Sequence, residues 1–227
     1  MTWADILAEI QRGLKEPSIN GHWTPAELLR RTNIGQRKIV RFTGCLQTID
    51  TSVTSVAGTA PYNKPTNCLR LIRIIYANKR IYSIPIEDLD IKAGSGEIGS
   101  PWQDNSGTPT NYYETFTQFV LYPKPEATGD IIGREYLIKP TDLVNTIDVP
   151  FNAVDYLEDY HDLLVSYVLY QCLLEDQLEF YVEHKNIFEK GMVSLRNEMR
   201  NKPDELLTFS LVKRRKGLGH GAIPFLD

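Results

Sequence analysis

The sequence is short of cysteine: Cys45, Cys68 and Cys172 are three in 227 residues, far apart and without CxxC spacing. Neither a disulfide framework nor a zinc site can be built from them, and they are expected to be reduced and buried. Long apolar runs are also missing, none approaching the roughly 18 to 20 residues of a membrane helix. The start, Met1-Thr-Trp-Ala-Asp-Ile-Leu7, lacks the basic residues and apolar stretch of a signal peptide. A soluble chain that stays where it is made, with no membrane partner, is therefore expected. Excess charge of one sign is small, since 25 Lys+Arg against 29 Asp+Glu leave a net −4. Core material is plentiful: 42% of residues are hydrophobic, with 12 Tyr, 8 Phe and 3 Trp, which excludes disorder across the whole chain.

Signatures of catalysis are missing as well. The histidines His22, His161, His184 and His220 are scattered, with no HExxH, and neither GxxxxGK[ST] nor GxSxG occurs. Gly94-Ser-Gly-Glu-Ile-Gly99 has the letters of a dinucleotide-binding turn but follows the polar Glu87-Asp-Leu-Asp90 and precedes Ser100-Pro101, so a loop is expected there. Acid pairs such as Glu87 with Asp90, or Glu114 with Glu135, are unspecific in a chain with 29 acids. No catalytic residue, cofactor or metal is assigned.

Charge is unevenly placed. Ten acids and no Lys or Arg lie between Thr141 and His184, among them Asp155, Glu158, Asp159 and Asp162. These four could seat a divalent ion by their i,i+4 spacing; the plainer reading is an acidic first turn facing a helix N-terminus. Conversely, Arg30, Arg31, Arg37, Lys38 and Arg41 occur without an intervening acid, and Lys213-Arg-Arg-Lys216 opens a basic tail. Such asymmetry suits an assembly with charged surfaces.

Periodicity divides the chain. Trp3, Ile6, Leu7, Ile10 and Leu14 mark an amphipathic helix, and Thr24-Pro-Ala-Glu27 is a capping box opening a second helix to about Phe42. From Leu46 to Pro150 the pattern is β: Thr48 to Val56, a hairpin of Leu69–Tyr76 with Arg80–Ile84 turning at Ala77-Asn78, and an expected pairing of Phe116–Tyr122 with Ile131–Ile138. Ala93 to Thr110 reads as a loop. Helical spacing returns at Ala153, with Leu157, Tyr160, Leu163, Leu164, Tyr167 and Val168 on one side, breaks near Asp176, and ends by Pro203. The expected fold is α+β: an α-helical core of residues 1–45 and a C-terminal helical hairpin 151–202, an inserted β-rich lobe 46–150, and an extended tail 203–227.

The order of these features resembles the adaptor, or head-to-tail connector, proteins that tailed bacteriophages attach beneath the portal ring. The matching parts are Trp23-Thr-Pro-Ala-Glu-Leu-Leu29, Asn33-Ile-Gly35, Tyr62-Asn-Lys-Pro65, Cys68-Leu-Arg-Leu-Ile-Arg-Ile74 and Trp102 before Gly107-Thr-Pro109 and Tyr112. Val120-Leu-Tyr-Pro-Lys-Pro125, Glu135-Tyr136, Lys139-Pro140 before Leu143, Pro150 and His161-Asp-Leu-Leu164 continue the pattern. The long Gly/Ser loop and the tail depart from it.

The resemblance implies a non-enzymatic virion protein in the head-tail neck, assembled in the host cytoplasm. It implies a homo-oligomeric ring, commonly of about twelve copies, with portal and tail proteins as partners and genomic DNA passing through without sequence-specific binding. The tail would reach the portal, making Lys213, Arg214, Arg215, Lys216, Ile223 and Phe225 candidate portal contacts. Asp155, Glu158, Asp159 and Asp162 would line either the lumen or an inter-subunit face. The alternatives are a neck or tail-completion protein further from the portal and, in another class, a cell-wall hydrolase using an acid pair.

Overall fold

Thr2 and Thr24 open their helices by the same device. In the computed structural model, which describes residues 1–15, 22–92 and 105–201, the Asp5 carboxylate accepts the Thr2 N–H at 2.8 Å and the Glu27 carboxylate accepts that of Thr24 at 3.0 Å. Each threonine hydroxyl in turn accepts the N–H three residues on, so α1 (Trp3–Leu14) and α2 (Pro25–Thr43) both begin in capping boxes. Gly44, at φ +72, closes α2 in the left-handed conformation that glycine adopts without strain.

The chain then lays down β1 (Gln47–Thr54), β2 (Pro61–Asn63), β3 (Cys68–Tyr76), β4 (Lys79–Ser83), a short α3 (Ile86–Lys92), β5 (Ser106–Gly107), β6 (Asn111–Glu114), β7 (Gln118–Tyr122), β8 (Lys124–Pro125) and β9 (Ile131–Ile138). Two short 3-10 turns, Phe151–Ala153 and Asp155–Tyr160, lead into α4 (Asp162–Glu175) and α5 (Tyr181–Asn201). Seven strands form a sheet in the order β1-β9-β3-β4-β6-β7-β2, and β5 pairs with β8. The protein is α+β.

The β3–β4 hairpin forms where expected, with Ala77 and Asn78 both at positive φ, as a two-residue hairpin turn requires. The expected pairing of Phe116–Tyr122 with Ile131–Ile138 does not. β7 lies between β6 and β2, whereas β9 lies between β1 and β3, a long-range choice that no local turn encodes. Residues 86–92, which include the polar Glu87-Asp-Leu-Asp90, are helical. Helix α4 begins at Asp162, not Ala153, because Phe151, Asn152 and Ala153 all take positive φ.

Helix α4 also lacks the expected single apolar side: ten of its 14 residues are buried, on every side. A helix apolar all round must be enclosed. It packs against α1, α2 and α5, and each of these offers a glycine at the approach. A Cβ on Gly13 would lie 2.7 Å from Leu169, one on Gly35 2.7 Å from Tyr167, and one on Gly191 2.2 Å from Leu163. Trp3, Ile6, Leu28, Ile39, Leu164, Val168, Phe188 and Leu195 join this buried cluster, as do Leu46 and Leu143 from the ends of the β region. A second cluster, including Ile74, Tyr76, Phe119, Leu121 and Ile132, lies in the sheet, and Ile138 packs against both.

The connection from β9 to α4 is fixed by two buried amides on α2. Asn33 Nδ2 donates to the Leu143 carbonyl at 3.0 Å while its Oδ1 accepts the Leu143 N–H at 2.8 Å, and Gln36 Oε1 accepts the Phe151 N–H at 2.9 Å. Gln36 Nε2 closes the network on Asn33 Oδ1 at 3.0 Å. The same connection caps α1, whose first amides, of Trp3 and Ala4, donate to the carbonyls of Asp148 and Thr146.

Two outcomes are expected in urea denaturation. Asn33→Ala should destabilise by about 3 kcal/mol, since it leaves a buried N–H and C=O of Leu143 unpaired. Gly191→Ala should cost about 1 to 3 kcal/mol by overpacking against Leu163.

Candidate assembly interface

The basic residues of α2 divide into two groups. Arg31 reaches the Glu175 carboxylate at 2.5 Å and lies 4.4 Å over the Trp23 ring, whose Nε1 donates to Asp176 at 3.2 Å. Arg37 donates to both Asp142 oxygens at 3.0 and 3.2 Å, and Lys38 stands 5.3 Å from the Tyr167 ring. These three cations hold α2 to the end of α4 and to the connection before it, rather than forming a strip for phosphates. Arg30 and Arg41 remain exposed.

The acids are disposed differently. Asp155, Glu158 and Asp159 lie on the second 3-10 turn and Asp162 is the first residue of α4; all four side chains face solvent. Asp155 and Glu158 fall in the first turn of that 3-10 helix and Asp162 in the first turn of α4, as an acidic first turn requires; Asp159 falls in neither. Among the described residues none of the four forms a salt bridge with Lys or Arg, and no group of His, Cys, Asp or Glu there could hold a metal ion.

Between these acids, His161 turns inward. It is 1% exposed, its ring lies 5.9 Å from Phe151, and its Nδ1 is 3.1 Å from the α-amino group of Met1. Burial first, and that amino group second, hold its pKa below the usual value, against Glu158 and Asp162, which raise it. Tyr156, next to Asp155, donates its hydroxyl to the Cys45 carbonyl at 2.5 Å and so fixes the acidic turn beside the start of β1.

Large apolar side chains are exposed in several places: Val144 and Ile147 on the connection, Leu174, Leu178 and Phe180 around the α4–α5 turn, and Phe116 at the β6–β7 tip. Glu114 is held by Lys64 at 2.8 Å and Glu135 by Arg73, so both acids are already engaged structurally. Glu87 and Glu114 line a groove of about 420 Å³ with Ile84, Ile86 and Tyr113.

A family model described as SU10 adaptor protein matches residues 1–207. The chain belongs to that family. It is a bacteriophage head-tail adaptor, a structural protein of the virion. No curated protein matches the chain. No helix among the described residues of the adaptor is long and apolar enough to cross a membrane.

The structure leaves Lys213, Arg214, Arg215, Lys216, Ile223 and Phe225 outside the described residues, as it does the Gly94–Gly99 stretch, Trp102 and Pro203. Of the cysteines, Cys45 and Cys172 are buried and Cys68 is half-buried, and none of the three is in a disulfide. Sequence reasoning missed the inward role of His161 and the Tyr156–Cys45 contact, because both join residues more than a hundred positions apart.

His161 has a depressed pKa when folded, so its neutral burial contributes stability that is fully present above about pH 6.5, its ordinary value, and is lost as pH falls toward the folded pKa. The urea midpoint is expected to fall between pH 7.5 and pH 5.5, and a His161→Gln variant should show a shallower slope over that range.

Proposed function

We propose that this adaptor forms a homo-oligomeric ring of roughly twelve copies seated under the portal, closed by one contact repeated around an axis. Tail proteins bind the opposite surface, and genomic DNA passes through the centre. The match of residues 1–207 to the adaptor family carries this reading. The helical body, 1–45 with 151–202, forms the ring, the β-rich insertion 46–150 projects from it, and the tail 203–227 reaches the portal through its last residues, among them Ile223 and Phe225. Assembly takes place in the host cytoplasm, and the finished ring belongs to the virion neck.

Three observations support this reading. Val144, Ile147, Leu178 and Phe180 are exposed among the described residues, and a neighbouring copy or a partner protein would cover them. The pairing of Arg31 with Glu175 and of Arg37 with Asp142 offsets part of the basic run that would hold phosphates by counterion release, so DNA slides rather than sticks. Repetition around a ring turns weak single contacts into high avidity, which suits a tail that orders on binding. The acids at 155–162 are assigned to an inter-subunit face, because they are exposed and Tyr156 among them reaches the Cys45 carbonyl, two residues before β1.

Mass determination of the chain alone and mixed with the portal protein of the same genome, followed by imaging, tests the assignment. A large ring-shaped complex is expected on mixing. A chain that stays monomeric with the portal would instead favour a neck protein further from it. Removal of Val212–Asp227 should leave a folded protein, with unchanged urea midpoint, that no longer holds the portal; retained binding would overturn the role of the tail.

A further inference from the structure

Strand β1 is an open edge. Among the described residues it stands at one end of the sheet and pairs only with β9. The Leu46 carbonyl accepts the Ile138 N–H at 2.9 Å, and antiparallel alternation then turns the backbone groups of Thr48 and Asp50 toward β9 and those of Gln47 and Ile49 outward. Edge strands are ordinarily protected by lysine, proline, a bulge or a covering element. β1 contains neither Lys nor Pro, and its bulge falls between Asp50 and Val53, so Gln47–Asp50 is left regular.

The tail contains a segment of matching character. Leu207-Thr-Phe-Ser-Leu211 alternates apolar and polar residues, the period of a half-buried strand, and Val212 leads directly into Lys213-Arg-Arg-Lys216. A third feature orients the two. The acidic turn with Asp155, Glu158 and Asp159 sits beside Cys45, at the Gln47 end of β1, through the Tyr156 hydroxyl.

We infer that Leu207–Val212 of one copy adds as an antiparallel strand to β1 of a second copy, placing Lys213–Lys216 against Asp155, Glu158 and Asp159 of that copy. Antiparallel addition brings the C-terminal end of the segment to Gln47, where the acids are; a parallel strand would carry the bases to Thr54 instead. With Leu211 opposite Ile49, Phe209 and Leu207 follow on the same face of the extended sheet as Ile49, while the bulge between Asp50 and Val53 turns Val53 to the other face.

The donor is a second copy for a reason of reach. Arg196 lies 4.8 Å over Phe42 and the Tyr160 hydroxyl donates to Glu198, so the last turns of α5 run past the Gln47 end of β1. An antiparallel strand must begin at the Val53 end, roughly 20 Å away at about 3.4 Å per residue. The six steps from Asn201 to Leu207 span roughly 20 Å when fully extended, which leaves nothing for the reversal. A neighbour has no such constraint. Each copy would give one segment and receive one, a heterologous contact that closes on itself in a ring. The inference rests on the ring reading and specifies its inter-subunit contact.

Two full-length chains, one carrying Thr48→Cys and the other Val212→Cys, test it when mixed and assembled on the portal protein. The register sets these positions opposite each other in a non-hydrogen-bonded pair, with Cα atoms about 4.5 Å apart and within disulfide reach. A disulfide joining the two chains is expected, absent when either variant is assembled alone. In unsubstituted rings the Gln47 and Ile49 amides should exchange about tenfold more slowly than in the free chain. Rings that form without the inter-chain disulfide and without slowed exchange would overturn the inference while leaving the ring intact. A disulfide only within a chain carrying both substitutions would show the segment on its own edge and would equally overturn it. Absence of any ring by mass would instead remove the reading on which it rests.

Discussion

Between its exposed ends helix α4 is buried on every side, from Leu163 to Leu173, and the arrangement of the other helices follows from that. With ten of its 14 residues buried, it has no polar face to offer solvent and must be surrounded by α1, α2 and α5. Close approach from three directions requires small residues at the crossings, and Gly13, Gly35 and Gly191 supply them. The aromatic rings of Tyr167, Tyr170 and Phe188 fill the space between α4 and α5, with ring centroids 5.2 to 5.9 Å apart. A chain lacking disulfides thus obtains a dense centre from one enclosed helix and its neighbours.

The enclosed helix has to be joined to the sheet without stranding backbone polar groups. Asn33 and Gln36 solve this by pairing with the backbone of Leu143 and Phe151, and the Asp148 carboxylate does so at the surface by accepting the N–H groups of Val144 and Asn145 at 2.7 and 2.8 Å. Those two hydrogen bonds, from Asn145 and then Val144, hold the Asp148 carboxyl below the usual carboxylate range. With its backbone secured in this way, the connection can leave Val144 and Ile147 turned outward, available to a partner. Charge is divided by the same logic. Cations on α2 tie helix to helix, while the acids of the 155–160 turn stay exposed.

Much of the local structure was legible in the residues. Thr24-Pro-Ala-Glu27 announced α2 because a capping box is a short-range reciprocal hydrogen bond, and Ala77-Asn78 announced the hairpin because few dipeptides accept two positive φ angles. The resemblance to portal adaptors, carried by folding residues spread along the chain, led to the family that the comparison gives. The partnership of β7 with β9 was misread because the two segments are adjacent in sequence and proximity alone suggested it. The start of α4 was misread because Leu157 and Tyr160 keep helical spacing through a 3-10 turn that buries Leu157 much as a helix would.

The sequence by itself determined the class of elements, their order, the capped helix starts and the absence of a membrane-length apolar helix, since each rests on contacts between residues a few positions apart. Tertiary structure alone decided which strands are neighbours, that β1 is left at an edge, that α4 is enclosed and that His161 points inward between exposed acids. These depend on pairings across tens of residues to more than a hundred, such as Pro61 with Val120, Asn33 with Leu143 and Tyr156 with Cys45. Such contacts are selected by the simultaneous burial of many apolar faces, and no single stretch of the chain carries the information to specify them.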